Sequence, residues 1–491
     1  MKLIDLISVL HFYKCDQELN HIEVSGIEMD SRQVKKGDVF VCITGYTVDG
    51  HDFAEQVAEK GACAVIAERP LSLDIPVIVV NDTTKALSHL ANRFYNNPSQ
   101  AFRLIGVTGT NGKTTLTYLL NEIFEIQKET TGLIGTIQMK IAEKKYSVQN
   151  TTPNALVLQR AFHDMVKEKV TTAVMEVSSH ALDLGRVYGT DFDIAVFTNL
   201  SQDHLDYHKT MDDYFRAKSL LFSQMGNVYT GKPKYAVINA DDPYGEKLAR
   251  STPYEVVKYG LNENADVQAK DLELHANGTS FNMITPVGNV HIKSPLAGKF
   301  SVYNILAASS AAICAGVSLK TLQYAFANTN GVPGRFETVQ KDQEFGVIVD
   351  YAHTPDSLEN VLTTVQTIAT GKIYVVIGCG GDRDKGKRPK MAEVAVKGSH
   401  LAVFTSDNPR TEDPFAILED MTRDISSQNF VVEQDRKKAI AYAINKAEAG
   451  DVVLIAGKGH ETYQEVDKQR FEFDDRAIAG QLIEEKLKGR I

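Results

Sequence analysis

The stretch RLIGVTGTNGKTTLTYLL, from Arg103 to Leu120, places a predicted strand, a glycine-containing loop and a predicted helix in direct succession. The strand ends near Thr108 and the helix begins near Lys113, which is the order found in nucleotide-binding P-loops. The common G-x-x-x-x-G-K-[ST] pattern would need glycine where this chain has Val107, so the loop is a shortened variant. In such loops backbone N–H groups surround a phosphate, the lysine neutralises it, and the threonine after the lysine can bind Mg²⁺. We therefore predict that ATP binds at Gly109, Thr110, Asn111, Gly112, Lys113, Thr114 and Thr115.

Apolar runs recur along the whole chain, each followed by turn residues and then by a helical pattern. This alternation predicts an α/β fold with parallel sheets, in which ligands bind beyond the carboxyl ends of the strands. The runs fall into three groups, and we predict three domains, at 1–100, 101–335 and 336–491. Shorter alternating segments after Asp266 predict a small antiparallel addition to the second group, and the polar stretch 92–100 predicts a linker. The predicted strands lie at 37–43, 62–68 and 75–80, then at 102–108, 171–177, 193–200 and 234–240, and finally at 345–351, 372–378, 401–407 and 451–457.

Composition and charge narrow the class of protein. The chain has 491 residues, 43% hydrophobic and 24% charged, the balance of a soluble globular protein. A net charge of −10 argues against nucleic-acid binding over a broad basic surface. Five scattered cysteines without CxxC spacing indicate a reduced, cytoplasmic protein. No apolar run approaches the roughly 20 residues that span a membrane, which predicts no membrane insertion, and residues 1–17 predict an amphipathic helix.

Polar side chains follow several predicted strands of the second group. Glu176 ends one strand and is a candidate Mg²⁺ ligand, although a lone glutamate there would more often cap a helix. His204 and His208 have the i,i+4 spacing of zinc ligands, but no cysteine or third ligand is near them in the sequence, so zinc is disfavoured. Lys218 lies in a helical, partly apolar segment, where a surface lysine with a buried stem is the ordinary interpretation.

The third group carries four polar segments after its strands, at 350–357, 378–389, 406–414 and 456–463. The glycine-rich segment with Arg383 and Lys387 predicts either an anion pocket or a solvated charged hairpin. The segment AGKGHETY predicts either a second phosphate loop or a tight turn. These residues by themselves indicate a multi-domain ATP-using α/β enzyme with several anion pockets.

Taken in order, the motifs of the chain resemble those of the Mur ligase family, the ATP-dependent amide ligases of peptidoglycan synthesis. This resemblance implies a smaller N-terminal α/β domain for a UDP-linked substrate, a central P-loop-type parallel-sheet domain for ATP, and a C-terminal Rossmann-like domain for an amino acid. It also implies closure of the C-terminal domain on the central one. The motifs that carry the resemblance are TGTNGKTT, MEVSSHAL, TNLSQDHLDYH, YFRAK, GRFE, DYAHTPD and DNPR.

The resemblance implies roles for individual residues. Lys218 matches a lysine that the family carries as a carbamate, which converts a cation into an anion able to bind Mg²⁺. The chain departs from some related enzymes at Leu184, where they have glutamine. The implied catalytic residues are Lys113, Lys218, Glu176 and His204, the implied metal ligands are Thr114, Glu176, His204 and carbamylated Lys218, and the ATP site gains Asn304, Arg335, Asp350 and His353. The implied contacts for the UDP-linked substrate are Ser31, Tyr46, Thr47, Val48, Thr151, Thr152, Ser178 and Arg186.

The amino acid implied by the resemblance is meso-diaminopimelate, which has an amino-acid head at each end. The guanidinium of Arg410 suits its far carboxylate and the carboxylate of Glu461 suits its far ammonium. L-Lysine is the alternative, but it has no far carboxylate, and a buried arginine without its anion would be costly. The implied contacts are Arg383, Asp407, Asn408, Pro409, Arg410, Gly457 and Glu461.

The implied reaction joins that amino acid to UDP-N-acetylmuramoyl-L-alanyl-D-glutamate through an acyl phosphate made from ATP. The resemblance implies a cytoplasmic enzyme, and we expect a monomer. A folate-polyglutamate-type ligase shares the style of P-loop, and a P-loop regulator would hydrolyse ATP without any amino acid. Dependence of ATP turnover on both the UDP-linked peptide and an amino acid separates these alternatives.

Overall fold

A computed structural model describes residues 1–45, 48–224, 233–275, 278–329 and 331–489. Its strands form three large sheets and one two-stranded hairpin, and helices cover the faces of the sheets. Within the described residues no helix is both long enough and apolar enough to cross a membrane. The α/β architecture with parallel sheets agrees with the class predicted from the sequence.

The N-terminal sheet has four parallel strands in the order β1-β2-β3-β4. Its helix α3 begins after Asp82, whose side chain accepts a hydrogen bond from the Lys85 backbone N–H. The elements of this region are α1 (Leu3–Ile7), β1 (Gly26–Glu28), β2 (Asp38–Val41), α2 (Ala54–Glu59), β3 (Ala64–Ala67), β4 (Val77–Val79) and α3 (Thr83–Phe94).

Two predictions near the ends of this region were wrong in extent. The N-terminal helix stops at Ile7 because the chain then runs to the free edge of β4, where Lys14 and Val79 exchange backbone hydrogen bonds of 2.8 and 2.9 Å. The predicted linker at 92–100 begins inside α3, which continues to Phe94, and only the residues after that helix connect the two sheets.

The central sheet has eleven strands in the order β15-β14-β13-β12-β11-β10-β5-β9-β6-β7-β8. Its middle is parallel, and β5 lies there between β10 and β9. Antiparallel strands extend both ends, including the predicted β14–β15 hairpin. The elements are β5 (Arg103–Thr108), α4 (Lys113–Ile126), β6 (Thr131–Ile134), β7 (Met139–Ile141), β8 (Lys144–Tyr146), α5 (Ala155–Lys167), β9 (Thr172–Glu176), α6 (Ser179–Asp183), β10 (Ile194–Phe197), α7 (Leu205–His208), α8 (Met211–Gln224), β11 (Tyr235–Asn239), α9 (Gly245–Ala249), β12 (Glu255–Gly260), β13 (Val267–His275), β14 (Gly278–Thr285), β15 (Gly288–Ser294), α10 (Lys299–Cys314) and α11 (Leu319–Asn328).

The C-terminal sheet has the order β16-β17-β21-β18-β19-β20 and is parallel except for the short edge strand β16. A hairpin of β22 and β23 follows it. The elements are β16 (Glu337–Thr338), β17 (Gly346–Asp350), α12 (Pro355–Ile368), β18 (Ile373–Ile377), α13 (Lys387–Gly398), β19 (Leu401–Phe404), α14 (Pro414–Thr422), β20 (Phe430–Val432), α15 (Arg436–Lys446), β21 (Val452–Ala456), β22 (Tyr463–Val466), β23 (Gln469–Glu472) and α16 (Asp475–Leu487).

Hydrophobic cores lie on both faces of the central and C-terminal sheets. Helices α4 and α10 pack on one face of the central sheet and α5 and α8 on the other. Because both faces are covered, strands such as β5 and β21 are apolar along nearly their whole length, and functional side chains are left to the strand ends.

Candidate active site

The loop between β5 and α4 has the conformation of a phosphate loop. Gly109 has φ +149° and Gly112 has φ +86°, and α4 begins at Lys113 directly after them. A Cβ atom on Gly109 would lie 1.8 Å from Thr198 Oγ1, and one on Gly112 would lie 2.6 Å from Asn304 Oδ1. Glycine is therefore required at both positions, and it leaves the loop N–H groups and the start of α4 together as a site for an anion.

Two lysines meet at this loop. The Lys113 ammonium donates to the carbonyls of Gly109 and Thr110 at 2.9 and 2.8 Å. Lys218, on α8, donates to the same Gly109 carbonyl at 2.7 Å and is only 2% exposed. Burial lowers the pKa of both ammonium groups, that of Lys218 to well below its ordinary value. Lys218 is thus not a surface lysine, and its burial penalises the charged ammonium form.

Glu176 ends β9, next to the P-loop strand, and is 1% exposed. Its Oε1 accepts from the Thr136 backbone N–H at 2.8 Å and its Oε2 accepts from the Thr136 hydroxyl at 3.1 Å. It is not a helix cap, because Ser178 caps α6 by accepting from the Ala181 N–H. Its carboxylate is therefore held at the strand end.

Imidazole and aromatic rings cluster beside Lys218. His204 has φ +55°, and its ring lies 4.9 Å from that of His180. Burial lowers the pKa of His204 to about 3, so its ring stays neutral and keeps a lone pair. His208 is hydrogen-bonded instead to Ser179 Oγ, at 2.9 Å. Within the part of the chain that the structure describes, no three His, Cys, Asp or Glu side chains converge as a ready metal cage.

Residues 151 and 152 connect Glu176 to a basic side chain. The Thr152 hydroxyl donates to the Glu176 carbonyl at 2.8 Å and accepts from the Ser178 backbone N–H at 3.0 Å. The Arg186 guanidinium donates to the Thr152 carbonyl at 3.1 Å, and Thr151 and Thr136 share a hydrogen bond of 3.1 Å. These groups form one polar wall next to the phosphate loop.

The segments after β19 and β21 form the opposite wall. Arg410 has φ +53° and donates to the Gly381 carbonyl at 2.7 Å. The Asn408 amide donates to Glu461 Oε2 at 2.8 Å. A Cβ on Gly457, which has φ +111°, would lie 2.7 Å from Asp407 Oδ2, so glycine lets the two segments approach closely.

A cavity of about 450 Å³ brings these groups together. Its walls come from the phosphate loop, from the polar wall of the central sheet and from the C-terminal sheet, so groups far apart in sequence face one volume. The functional candidates that line it are Thr110, Asn111, Gly112, Lys113, Thr114, Thr115, Thr151, Thr152, Glu176, Ser178, Arg186, His204, Lys218, Arg335, His353, Arg383, Asp407, Asn408, Arg410, Gly457 and Glu461.

A second cavity, of about 1010 Å³, lies on the other side of the loop. It is lined by Asn111, Asn304, Arg335, Asp350 and His353, among others. Asp350 accepts hydrogen bonds from the backbone N–H groups of Phe336 and Ala352, at 2.6 and 2.7 Å. This volume is at the upper end of the range for pockets that hold small molecules and cofactors, about 300–1,000 Å³.

Family models match most of the chain. The model described as Mur ligase middle domain matches residues 107–312, the one described as Mur ligase, glutamate ligase domain matches 334–459, and the one described as Mur ligase family, catalytic domain matches 23–95. The chain belongs to the Mur ligase family. The phosphate loop and both walls of the smaller cavity, up to Gly457, lie inside the matched ranges.

Curated relatives and a solved structure cover nearly the full length of this Mur ligase. It is 54% identical over 491 residues to the UDP-N-acetylmuramoyl-L-alanyl-D-glutamate--2,6-diaminopimelate ligase of Oceanobacillus iheyensis, with 99% of this chain and 100% of the relative covered. It is 53% identical over 486 residues to the enzyme of the same name from Bacillus velezensis, with 99% of both covered. A solved structure of a ligase with this name shares 37% identity at a TM-score of 0.71, covering 99% of this chain and 100% of the other.

Three described residues implied by the resemblance, Ser31, Val48 and Pro409, are not among those that line the two cavities. Ser31 lies in a turn after β1, where the Lys60 ammonium donates to its carbonyl at 2.8 Å. Val48 is 55% exposed, and Pro409 lies behind the cavity wall between Asn408 and Arg410. Tyr46 and Thr47 lie outside the described residues.

Sequence reasoning missed one residue that links the central-sheet region of this Mur ligase to its C-terminal-sheet region. Asp356, near the start of α12, accepts hydrogen bonds from the Asn111 amide at 2.7 Å and from the Ser201 hydroxyl at 3.0 Å. Asp356 also lines the larger cavity. The only local signal was its place in DYAHTPDS, since its partners lie far away in sequence.

His353 was expected at the nucleotide site, and its protonation can be read from the structure. Burial lowers the pKa of His353 to about 4. Its Nδ1 lies 2.9 Å from the Tyr351 carbonyl, and because a carbonyl only accepts, Nδ1 carries the proton. The neutral ring therefore has its lone pair on Nε2.

Proposed function

We infer that this Mur ligase is an ATP-dependent, ADP-forming acid–amino-acid ligase of peptidoglycan precursor synthesis. Its reaction joins meso-2,6-diaminopimelate to UDP-N-acetylmuramoyl-L-alanyl-D-glutamate. The observation that carries this inference is the single cavity lined by the phosphate loop, by Lys218 and by Arg410. Full-length relatives named for this reaction favour it over ligation of L-lysine and over a folate-type ligase.

In the first step, the γ-phosphoryl group of ATP is transferred to the side-chain carboxylate of the D-glutamate residue, giving an acyl phosphate and ADP. The Lys113 ammonium donates hydrogen bonds to two loop carbonyls, and we expect it to turn to the phosphate oxygens when ATP binds. Positive charge there stabilises the negative charge that spreads over the transferred group. Asn304, Arg335, Asp350 and His353 are proposed to complete the ATP site.

Lys218 is proposed to act as a carbamate. Its site lowers the pKa of the ammonium, and a neutral amine is the form that adds to CO₂, releasing one proton. The proposed metal ligands are Thr114, Glu176, His204 and the carbamate of Lys218. The oxygen atoms of this set suit Mg²⁺, which would supply positive charge beside the phosphates.

In the second step, a neutral amine of meso-diaminopimelate attacks the acyl carbon and loses one proton, an amide bond forms, and the C–O bond to phosphate breaks as phosphate leaves from a tetrahedral intermediate. Arg410 is proposed to bind the far carboxylate with its planar fork, and Asp407 and Glu461 to bind the far ammonium. Arg383, Asn408, Pro409 and Gly457 complete this proposed contact set. The D-glutamyl end is assigned to Thr151, Thr152, Ser178 and Arg186.

Domain roles follow from these assignments. We propose that residues 1–100 bind the UDP end through Ser31 and the segment 46–48, that 101–335 hold ATP, and that 336–491 deliver the amino acid. The hydrogen bonds of Asp356 to Asn111 and Ser201 support a closed approach of the last two regions during catalysis. We expect a monomer in the cytoplasm, where ATP and the nucleotide-linked precursor are made.

The test is phosphate release from ATP with UDP-N-acetylmuramoyl-L-alanyl-D-glutamate and either meso-diaminopimelate, L-lysine or no amino acid. We expect release only with diaminopimelate. Release only with lysine would retain the ligase class and overturn the assignment of Arg410. Turnover without any amino acid would overturn the ligase reaction itself.

A further inference from the structure

Lys458 is a fully buried lysine directly behind the wall that carries Asn408 and Glu461. It follows β21 in a turn between Gly457 and Gly459, and its side chain is 0% exposed. It is not among the residues that line the smaller cavity, although both of its polar partners are. Its ammonium therefore does not reach a ligand in that cavity.

The contacts of Lys458 connect two segments far apart in sequence. Its Nζ donates to Asn408 Oδ1 at 2.9 Å and to Glu461 Oε2 at 3.0 Å. The Asn408 amide nitrogen donates to the same Oε2 at 2.8 Å, which closes a ring of three side chains. The Glu465 backbone N–H also donates to Asn408 Oδ1, at 2.9 Å, so both polar ends of Asn408 are used.

This ring gives the two carboxylate oxygens of Glu461 different surroundings. Oε2 accepts from both Lys458 and Asn408, whereas Oε1 accepts no hydrogen bond from any described residue. Glu461 lines the cavity and its side chain is 15% exposed. A buried ammonium needs an anion within hydrogen-bond reach, and Lys458 meets this need by pairing with Oε2 of Glu461 at 3.0 Å.

We propose that Lys458 is a positioning residue for the amino-acid substrate. It fixes Asn408 and Oε2 of Glu461, and this leaves Oε1 for the far ammonium of a diamino diacid. Within the AGKGHETY segment, Lys458 pairs with a carboxylate of the protein itself and not with a bound phosphate. We therefore interpret this segment as a tight turn. This inference rests on the proposed function.

The charges around the cavity agree with that substrate class. Besides Glu461, the C-terminal wall of the cavity carries the carboxylates of Asp384 and Asp407 and the cationic side chains of Arg383, Lys387 and Arg410. A zwitterionic amino-acid head, with one ammonium and one carboxylate, meets both signs there. Without Lys458, Glu461 would keep only the neutral Asn408 as its partner and would lose its orientation.

The experiment compares Lys458→Met with the native enzyme in the complete ligase assay. Methionine retains most of the apolar stem and removes both hydrogen bonds. Lys397→Met is the matched control, because Lys397 forms an exposed pair with Glu393 at 2.7 Å in the same domain. Loss of one charge-assisted hydrogen-bond partner predicts a rise in KM for diaminopimelate of about 10- to 100-fold. We expect kcat, and the KM values for ATP and the UDP-linked peptide, to change less than about 3-fold.

A double-mutant cycle with Glu461→Gln tests whether Lys458 acts through Glu461. We expect the double variant to raise KM for diaminopimelate by much less than the product of the two single effects. Effects that multiply, or a KM for diaminopimelate unchanged in Lys458→Met, would overturn the proposal. If Lys458→Met does not fold by circular dichroism, Lys458→Gln, which keeps one N–H donor, carries the same comparison.

The assay of the native enzyme distinguishes a failure of this proposal from a failure of the proposed function. If it does not use diaminopimelate, the proposed function fails before any variant is compared. If it does, the variants decide the role of Lys458 alone.

Discussion

Replacing Arg410 by alanine separates the binding of a second carboxylate from the stability of the fold. The native residue already has φ +53°, where any side chain with a Cβ carries a strain of about 1–2 kcal/mol. Alanine keeps that strain unchanged, and the backbone hydrogen bonds of Arg410 with Glu465 and Asp467, at 3.0 and 2.7 Å, remain. The fold loses only the side-chain hydrogen bond to the Gly381 carbonyl, about 1 kcal/mol.

The same substitution is expected to remove more binding free energy from the substrate complex than it removes from the stability of the fold. A guanidinium fork makes two charge-assisted hydrogen bonds to a carboxylate, and together these are expected to contribute about 3–5 kcal/mol in a partly buried site. We therefore expect Arg410→Ala to lower kcat/KM for meso-diaminopimelate by about 10²- to 4 × 10³-fold. L-Lysine has no far carboxylate, so its much lower kcat/KM should change little. The preference for diaminopimelate should shrink by the same factor.

The assay is coupled ADP release with each amino acid, together with thermal unfolding of every variant. Arg410→Gly should lose the same activity while regaining up to about 1 kcal/mol of stability, because glycine adopts positive φ without strain. Arg423→Ala is the control, since Arg423 forms an exposed pair with Asp420 at 3.4 Å. An Arg410→Ala enzyme with native kcat/KM for diaminopimelate, or with native preference over lysine, would refute the reasoning.

Three further predictions follow from buried polar groups. Lys218→Ala should lower kcat by at least about 10²-fold at native thermal stability, and formate or acetate should restore part of the rate; loss of activity that no short carboxylate restores would count against a carbamate. Burial lowers the pKa of His208 from 6.5 to about 4, so between those values the unfolded chain binds a proton that the native protein does not. His208 should therefore contribute on the order of 2 kcal/mol to the fall in the free energy of unfolding as pH drops from 8 to 5, so urea denaturation of His208→Gln should show a fall smaller by about that amount; an equal fall in both proteins would contradict this. Lys234→Met should lower the free energy of unfolding by about 3–5 kcal/mol, because Lys234 is 3% exposed and its loss leaves its salt-bridge partner Asp191 buried without a cation; chemical denaturation measures this, and a loss below 1 kcal/mol would contradict it.

Local sequence was sufficient for the eleven main strands that it predicted and for the phosphate loop, but not for the short strands β1, β6, β7, β8 and β16. Strand β5 is apolar because both faces of its sheet are covered, and the loop glycines adopt backbone conformations that other residues avoid. These causes act within a few residues, so a pattern in the sequence reports them directly. The N-terminal helix was overestimated for the opposite reason, because the hydrogen bonds that end it come from Val79, 65 positions after Lys14.

The charge states of buried side chains, and the hydrogen bonds between residues far apart in sequence, could be identified only from the tertiary structure. The sequence around Lys218 was compatible with a surface lysine, and only the tertiary structure shows that the side chain is buried against the Gly109 carbonyl and that burial lowers the pKa of its ammonium. Asp356 was not singled out, because Asn111 lies 245 positions before it in sequence. A hydrogen bond between such distant residues leaves no periodic or motif signal in either segment.

The sequence by itself determined the α/β class, the eleven main strands that it predicted, the phosphate loop and the set of residue types available for chemistry. The tertiary structure alone decided that these residues face one cavity, that Lys218 and Lys458 are buried, and that Lys458 is bonded to Asn408 and Glu461. The physical reason is the range of the interactions. Backbone conformation and amphipathic patterning depend on near neighbours, whereas desolvation and ion pairing depend on which distant segments pack together.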